Sequence, residues 1–573
     1  MPRGGARWIV AIAASALAIV AAPAQARVIR AETILPPGQS GFVNLPGLAD
    51  GTGSRHLYDQ LPLFIGFRYK PDTFNQPGDT ETPRPGVTIV RDSFGVPAVT
   101  AQTDPDVWWG AGYAVAQDRL FELELFRHAT EGKLSELAGP AYLTDDRIVR
   151  QDLYTPAELQ RQFDALPAQL RARFTAYRDG INAWIDHVKA NPTDLPGEYA
   201  AVGIPVPPAW TTLDSVAIGA YLARTIPTNA DPEGLELANL RALQLSGPAV
   251  FNRVAPLRTP GSLTTIPRSS GLFPSQPGRS RRQERAAFRR SVAFARTLPF
   301  PQPPTAAATA GRAIVSHTGG SYMFAVRRRS DHHAILFNGP ELGFSAPEKL
   351  VELELHGPGL DIRGITAPGA PVVGAGQNGS IAWGITTGAS DADDLYAEKL
   401  VPGHPEQYMF RGKVMQMDCR DEQLRYQSPP SSLLGILGGH LPAAPRAGTE
   451  TDRVCRTLHG PVEARAGGIA YARRYAGWGR ELQTLEGLSA LSSAKSIRQV
   501  DSAVRKVTWN ENVMAVDSKG NIGYWHPGLL PLKPKGWDER LPYPGTGQAE
   551  WRGLLNRNTQ IPSVINPKQG WLA

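Results

Sequence analysis

The chain has 573 residues, of which 42% are apolar and 20% charged, and a formal net charge of +7. This balance excludes a disordered chain, and the length calls for more than one structural unit or one large intertwined core. Residues 1–26 read as a secretory signal: Arg3 and Arg7, an apolar stretch from Trp8 to Ala22, then a small-residue cleavage site at Ala24-Gln25-Ala26. That stretch is short for a transmembrane helix, and no later segment is apolar enough to span a bilayer. The expectation is a periplasmic or secreted protein with no stable membrane insertion. In an oxidising compartment the only two cysteines, Cys419 and Cys455, are expected to form a disulfide. They lack the Cys-x-x-Cys spacing of a metal site.

Residues 33–70 are turn-rich and then amphipathic. Val87–Val99 predicts two short strands about a turn at Ser93–Gly95. Asp104 as N-cap, with Pro105 in the first helical position, predicts a helix running to about Thr130. Leu170, Phe174, Tyr177, Ile181 and Trp184 are spaced for one face of a second helix, and 207–245 suggests further helices. Residues 27–274 therefore form a mainly helical unit. Seven arginines then fall between Arg279 and Arg296, followed by PFPQPPTAAATAG. A nucleic-acid patch does not suit an exported protein, and 275–320 reads as an unstructured linker open to excision.

After Ser321 the character changes. Ala334–Phe337, Leu350–Leu355, Pro371–Val373 and Ile381–Ile385 are β-like, and Leu350–Leu355 alternates as a half-buried strand. Thr508–Val516 and Asn521–Trp525 flank a hairpin turn at Asp517–Gly520. The overall class is α+β. Ser321 itself follows Gly320, so a cut there would free a serine carrying both a nucleophilic hydroxyl and a base, its own α-amino group. That amine titrates at roughly 7.7–8.0 when unperturbed, so it can act near neutral pH.

Several runs support this reading together. RDSFGVPAV (91–99), GAGYAVAQDRLFELELFR (110–127) and GKLSEL (132–137) precede the serine. NGPELGFSAP (from Asn338), LHGPGLDIRG (355–364), GQNGSIAWGITTG (376–388) and DERLPYPGTGQAEW (538–551) follow it. In this order they resemble the penicillin acylase family of N-terminal-nucleophile hydrolases, over about residues 87–573. The resemblance implies a four-layer αββα core and self-cleavage between Gly320 and Ser321 into an α/β heterodimer. It also implies hydrolysis of an N-acyl amide, of the β-lactam side-chain or acyl-homoserine lactone type, through an acyl-enzyme on Ser321. The backbone N–H of Thr387 would be one oxyanion donor. Glu341 stands where the family usually has glutamine, and a carboxylate there would raise the pKa of the new amine. Tyr322 and Phe324 replace the usual asparagine and tryptophan. Leu222, Ile226, Leu342 and Ala375 fall at acyl-pocket positions.

The family also binds a structural Ca2+. Asp391, the carbonyl of Asp393, Asp394, Glu236 and a backbone oxygen of Glu539 match its ligands, an oxygen-only set suited to a hard cation. Two features depart from the family. The asparagine-rich segment that would follow NPKQGWLA, with a second oxyanion donor, is absent, which suggests a β-chain-like region (321–573) that is C-terminally incomplete. TILPPGQSGFV (33–43) with YDQL (58–61) resembles an element usually found near the C-terminus. The alternative to an enzyme is therefore an inactive, truncated family member acting only as a binding protein. Other hydrolase classes find little support. There is no Gly-x-Ser-x-Gly elbow, Ser492-Ser493-Ala494-Lys495 lacks its companion motifs, and His332-His333 has no partner cluster nearby in sequence.

Overall fold

The computed structural model describes residues 80–92, 95–196, 199, 206–225, 232–256, 265–267, 271–272, 280–301, 321–340, 349–388, 390–427 and 447–573. The signal 1–26, the 33–61 segment and Gly320 lie outside them.

Three strands open the described chain: β1 (Thr80–Arg84), β2 (Val87–Arg91) and β3 (Pro97–Ala101). β2 and β3 pair antiparallel, as the alternation within Val87–Val99 predicts. Helix α1 (Asp104–Thr130) has the expected extent, but its cap is Thr103 and not Asp104. Thr103 keeps an extended backbone, and its hydroxyl accepts from the Asp106 N–H at 3.2 Å. One residue earlier is the better cap because the hydroxyl then reaches an orphan first-turn donor. In α2 (Ala168–Ala190), Leu170, Phe174, Tyr177, Ile181 and Trp184 are all buried, the face predicted by their spacing. The two helices approach closely at Gly112 and Gly180. A Cβ on either would strike the backbone oxygen of Tyr177 or Trp109 respectively.

Helices α3 (Thr212–Thr225) and α4 (Pro232–Val254) occupy the expected 207–245 region. The linker reading fails over its first half. Arg281–Ala295 forms helix α5, started by a Ser280/Gln283 capping box. Of its buried stripe, Ala287, Ser291, Val292 and Ala295, the last two pack into a core with Leu240, Phe251, Leu395 and Tyr471. The arginines that dominate this stretch hide a helical period of small apolar residues between them.

The β-rich half supplies β4 (Gly271–Leu272), β5 (Ser321–Arg327), β6 (Ala334–Pro340), β7 (Val351–Gly357), β8 (Leu360–Thr366), β9 (Ala375–Gln377) and β10 (Ile381–Thr387). Pro371–Val373, expected as β-like, is a loop before β9. Then come β11 (Asp393–Val401), β12 (His404–Phe410), β13 (Lys413–Gln416), β14 (Asp418–Gln427), β15 (Ala447–Thr457), β16 (Gly460–Ala466) and β17 (Ile469–Tyr475). The chain closes with β18 (Glu511–Asp517), β19 (Ile522–Trp525), β20 (Tyr543–Pro544), β21 (Ser563–Ile565) and β22 (Trp571–Leu572). β18 and β19 make the expected hairpin. Asp517 Oδ1 accepts from the N–H groups of Lys519 and Asn521, both at 3.0 Å, and Gly520 supplies the positive φ of 81°.

Among the described residues the strands form three sheets. The largest runs β1-β2-β3-β7-β8-β9-β10-β18-β19-β21-β4, the second is built on β13-β12-β11-β17-β16-β15-β14, and the third is β22-β5-β6. The parallel pairing of β3 with β7 joins the N-terminal part to the C-terminal part. Helices α1 and α2 pack on the large sheet in one core with Val99, Trp108, Tyr177, Leu353 and Trp383. The small sheet packs on the same sheet through Met323, Ala325, Met514, Val516 and Leu572. The fold is thus α+β, with helix, sheet and sheet layered in that order. The outer face of the small sheet leaves Tyr322, Phe324, Ile335 and Phe337 exposed.

Candidate active site and acidic pocket

Ser321 is the first residue of β5 and sits half-buried where the small sheet meets β10. Its hydroxyl donates to the Ile385 carbonyl at 3.3 Å and accepts from Asn338 Nδ2 at 3.3 Å. The Asn338 side chain links three strands. It lies on β6, its Nδ2 also donates to the Ile385 carbonyl at 3.1 Å, and its Oδ1 accepts from the Ile385 N–H at 3.2 Å. The Thr386 hydroxyl donates to the Ser321 carbonyl at 3.0 Å. Strand β10 can come this close because residue 384 is glycine: a Cβ there would lie 2.8 Å from Asn338 Cβ, Cγ and Oδ1.

Thr387 ends β10, two residues beyond the carbonyl on which the serine rests. Its own carbonyl accepts from Asn512 Nδ2 at 2.9 Å. Asn512 Oδ1 in turn accepts from the Tyr524 hydroxyl and meets His526 Nδ1, each at 2.8 Å. With Nδ2 committed to Thr387, Oδ1 must be the acceptor, so His526 carries its proton on Nδ1. Its Nε2 then faces the Ser390 hydroxyl as an acceptor. Burial lowers the His526 pKa to about 4, which keeps the ring neutral. This neutral network anchors the end of β10. Opposite Thr387 in the ladder is Glu511, 1% exposed, whose Oε1 has no hydrogen-bond partner among the described residues. Burial pushes its pKa well above the carboxylate range.

The other expected site residues divide. Ala375 is buried on β9, and its neighbour Gly374 lies close to Ile385. Leu222 is half-buried on α3 against the main core. Glu341, Leu342, Ile226 and Gly320 lie outside the described residues. Asn338 and Thr386 were missed as site residues. Asn338 stands inside the NGPELGFSAP run, but its role depends on β10, which is distant in sequence. The expected Cys419–Cys455 disulfide is present, joining residues directly opposite in β14 and β15.

Four of the expected cation ligands, Asp391, Asp393, Asp394 and Glu236, lie around the start of one strand. Asp391 precedes β11, Asp393 and Asp394 begin it, and Glu236 from α4 accepts from the Leu395 N–H at 2.6 Å. Glu236, Asp393 and Asp394 are all buried. The Tyr543 hydroxyl lies within electrostatic reach of Asp394, Asp391, Glu539 and Glu236. Burial and neighbouring carboxylates push Glu236 well above the usual carboxylate range. Burial, outweighing the pull of Lys533, does the same to Asp394. The donor chemistry suits a hard cation, but the structure adds a residue that sequence reading missed. Lys533 Nζ donates to Asp391 Oδ1 at 2.6 Å, the Asp393 carbonyl at 2.8 Å and Asp394 Oδ2 at 2.7 Å. An ammonium therefore contacts three of the oxygens that were expected to hold the ion.

A family model described as penicillin amidase matches residues 86–573. Penicillin G acylase of Escherichia coli is 31% identical over 523 residues, covering 85% of this chain and 58% of that protein. Acyl-homoserine lactone acylase QuiP of Pseudomonas aeruginosa is 27% identical over 501 residues, covering 85% and 54%. The chain thus spans a little over half the length of these relatives. A solved structure of thermostable penicillin G acylase from Alcaligenes faecalis is 31% identical, with TM-score 0.39, covering 44% of this chain and 43% of that one.

Proposed function

Because this chain belongs to the penicillin amidase family, we propose that it hydrolyses an N-acyl amide through an acyl-enzyme on Ser321, after cleavage of the Gly320–Ser321 bond. One observation carries the reading: the half-buried Ser321 hydroxyl, at the first position of a strand, is held by Asn338 and Ile385 from two other strands. A serine that served packing alone would not need three strands to aim its oxygen. The freed α-amine takes the hydroxyl proton as Oγ attacks the amide carbon. The C–N bond then breaks, and the proton passes to the leaving amine. Water, deprotonated by the same amine, hydrolyses the ester and releases the carboxylic acid. The N–H of Thr387 stabilises the oxyanion.

By their positions in the family, Leu222, Ile226, Leu342 and Ala375 are proposed to receive the acyl group; of these, Leu222 and Ala375 lie among the described residues. These small and aliphatic side chains accept an alkyl chain as readily as an aromatic ring, so β-lactam side chains and acyl-homoserine lactones are both substrate classes to try. Export to the periplasm or medium accords with the 1–26 signal pattern and with a disulfide.

Intact mass and N-terminal sequencing of the purified protein test the proposal. A fragment beginning Ser-Tyr-Met-Phe, lost together with hydrolysis in Ser321→Ala, is the expected result. A single uncut chain, unaffected by that substitution, would sink the catalytic reading in favour of a binding-only protein.

A further inference from the structure

We infer that Lys533 is the resident cation of the acidic pocket, so that this protein takes up no divalent ion there. An ammonium has three N–H donors and no acceptor. Here each donor meets one oxygen: Asp391 Oδ1, the Asp393 carbonyl and Asp394 Oδ2, at 2.6–2.8 Å. A calcium ion wants six to eight oxygens at about 2.3–2.6 Å. It could not share these three with an ammonium already in contact with all of them.

The lysine is also held in place from its own side. Leu532 N–H donates to the Gly553 carbonyl at 2.8 Å, and Arg552 N–H to the Leu532 carbonyl at 2.9 Å. Arg552 Nε donates to the Lys533 carbonyl at 3.1 Å. The Lys533 side chain is 13% exposed, and that of Asp394 is fully buried. Trp551 closes the pocket: its Nε1 donates to Asp394 Oδ2 at 2.5 Å, and its ring lies 5.8 Å from Nζ. The Glu236 and Asp393 side chains line the same pocket without bonding to Nζ. Glu236 Oε1 and both side-chain oxygens of Asp393 lack hydrogen-bond partners in the described structure. This leaves room for an ion once the ammonium is removed.

The test reads thermal unfolding of the whole protein in EDTA and in excess CaCl2, with calorimetric titration of Ca2+, for wild type and Lys533→Met. Ca2+ that binds the native state raises the melting temperature in proportion to ln(1 + [Ca2+]/Kd). Wild type is expected to melt at the same temperature in both buffers and to show no binding heat. Lys533→Met should melt several degrees lower in EDTA and recover in Ca2+, a rescue that a simple packing defect would not show. Calcium-dependent melting of wild type overturns the inference by itself, even if the variant does not fold. An Lys533→Met protein as stable as wild type in EDTA, or one that Ca2+ does not rescue, also overturns it. The readout is melting and binding, so its failure is separate from any failure of the catalytic reading.

Discussion

Gly384→Ala tests whether the close approach of β10 to Asn338 is what aims the serine. The backbone at residue 384 is ordinary strand, so the new methyl group brings no conformational strain of its own. Its Cβ would lie 2.8 Å from Asn338 Cβ, Cγ and Oδ1. Rotating the asparagine does not relieve this, because its own Cβ is one of the three atoms. Carbon atoms pack at about 3.5–4.0 Å, so β6 and β10 must separate by roughly 0.7–1.2 Å. The bonds from Asn338 to Ser321 Oγ and to Ile385 are already 3.1–3.3 Å long. A further displacement of that size takes them out of range. Misplacing a reacting group by about 1 Å costs on the order of 10²-fold in rate. Overpacking costs about 1–3 kcal/mol, offset by about 0.4–1 kcal/mol from the stiffer unfolded chain. Gly374→Ala is the control. It lies in the same neighbourhood, but its nearest atoms would be Ile365 O at 3.6 Å and Ile385 Cδ1 at 3.9 Å, so the methyl group fits. The assays are the time course of the Ser-Tyr-Met-Phe fragment, hydrolysis of phenylacetyl and hexanoyl p-nitroanilides, and urea unfolding. If Gly384→Ala matched Gly374→Ala in all three, Asn338 would not be the element that positions Ser321.

Three further outcomes follow from buried groups. Glu511 has a folded pKa raised by burial, so wild type loses stability as pH rises above the unfolded carboxylate value, by up to about 1.4 kcal/mol per pH unit until the folded pKa is reached. Glu511→Gln should therefore raise the urea midpoint at pH 7 and leave it unchanged at pH 4; equal shifts at both pH values would contradict this. His459 is buried between Glu398 Oε1 at 2.6 Å and Glu550 Oε1 at 3.0 Å, and stacks on Tyr396. Burial alone would lower its pKa, but the two carboxylates outweigh burial and raise it. The stability from this imidazolium is full below the unfolded histidine value and is lost as pH rises through the folded one. Glu550→Gln should move that alkaline loss to lower pH and cost about 1.5–3 kcal/mol near pH 6, read from unfolding midpoints across pH. Cys419–Cys455 closes a separation of 36 residues, so its removal by paired serine substitution should cost at most about 4 kcal/mol. An unchanged midpoint in the double variant would mean that the bond constrains nothing in the unfolded chain.

What the sequence determined by itself is local or compositional. The buried face of α2 follows from 3.6-residue spacing, and the β18–β19 hairpin from Asp517–Gly520 between apolar runs. The disulfide follows from two cysteines behind a segment patterned as a secretory signal, and the proposal for Ser321 from the motifs around it. Each depends on residues close in the chain or on a pattern readable without partners. Where a reading failed, the deciding contact was a tertiary one. The arginine-rich stretch reads as linker until Val292 and Ala295 meet Leu240 and Leu395. Asn338 becomes part of the site only when β10, more than forty residues on, comes close enough to share its side chain. The acidic run at Asp391–Asp394 reads as half a cation site. Only the fold brings Lys533 to it, from about 140 residues away, because burying several carboxylates together requires a positive charge and the chain supplies its own.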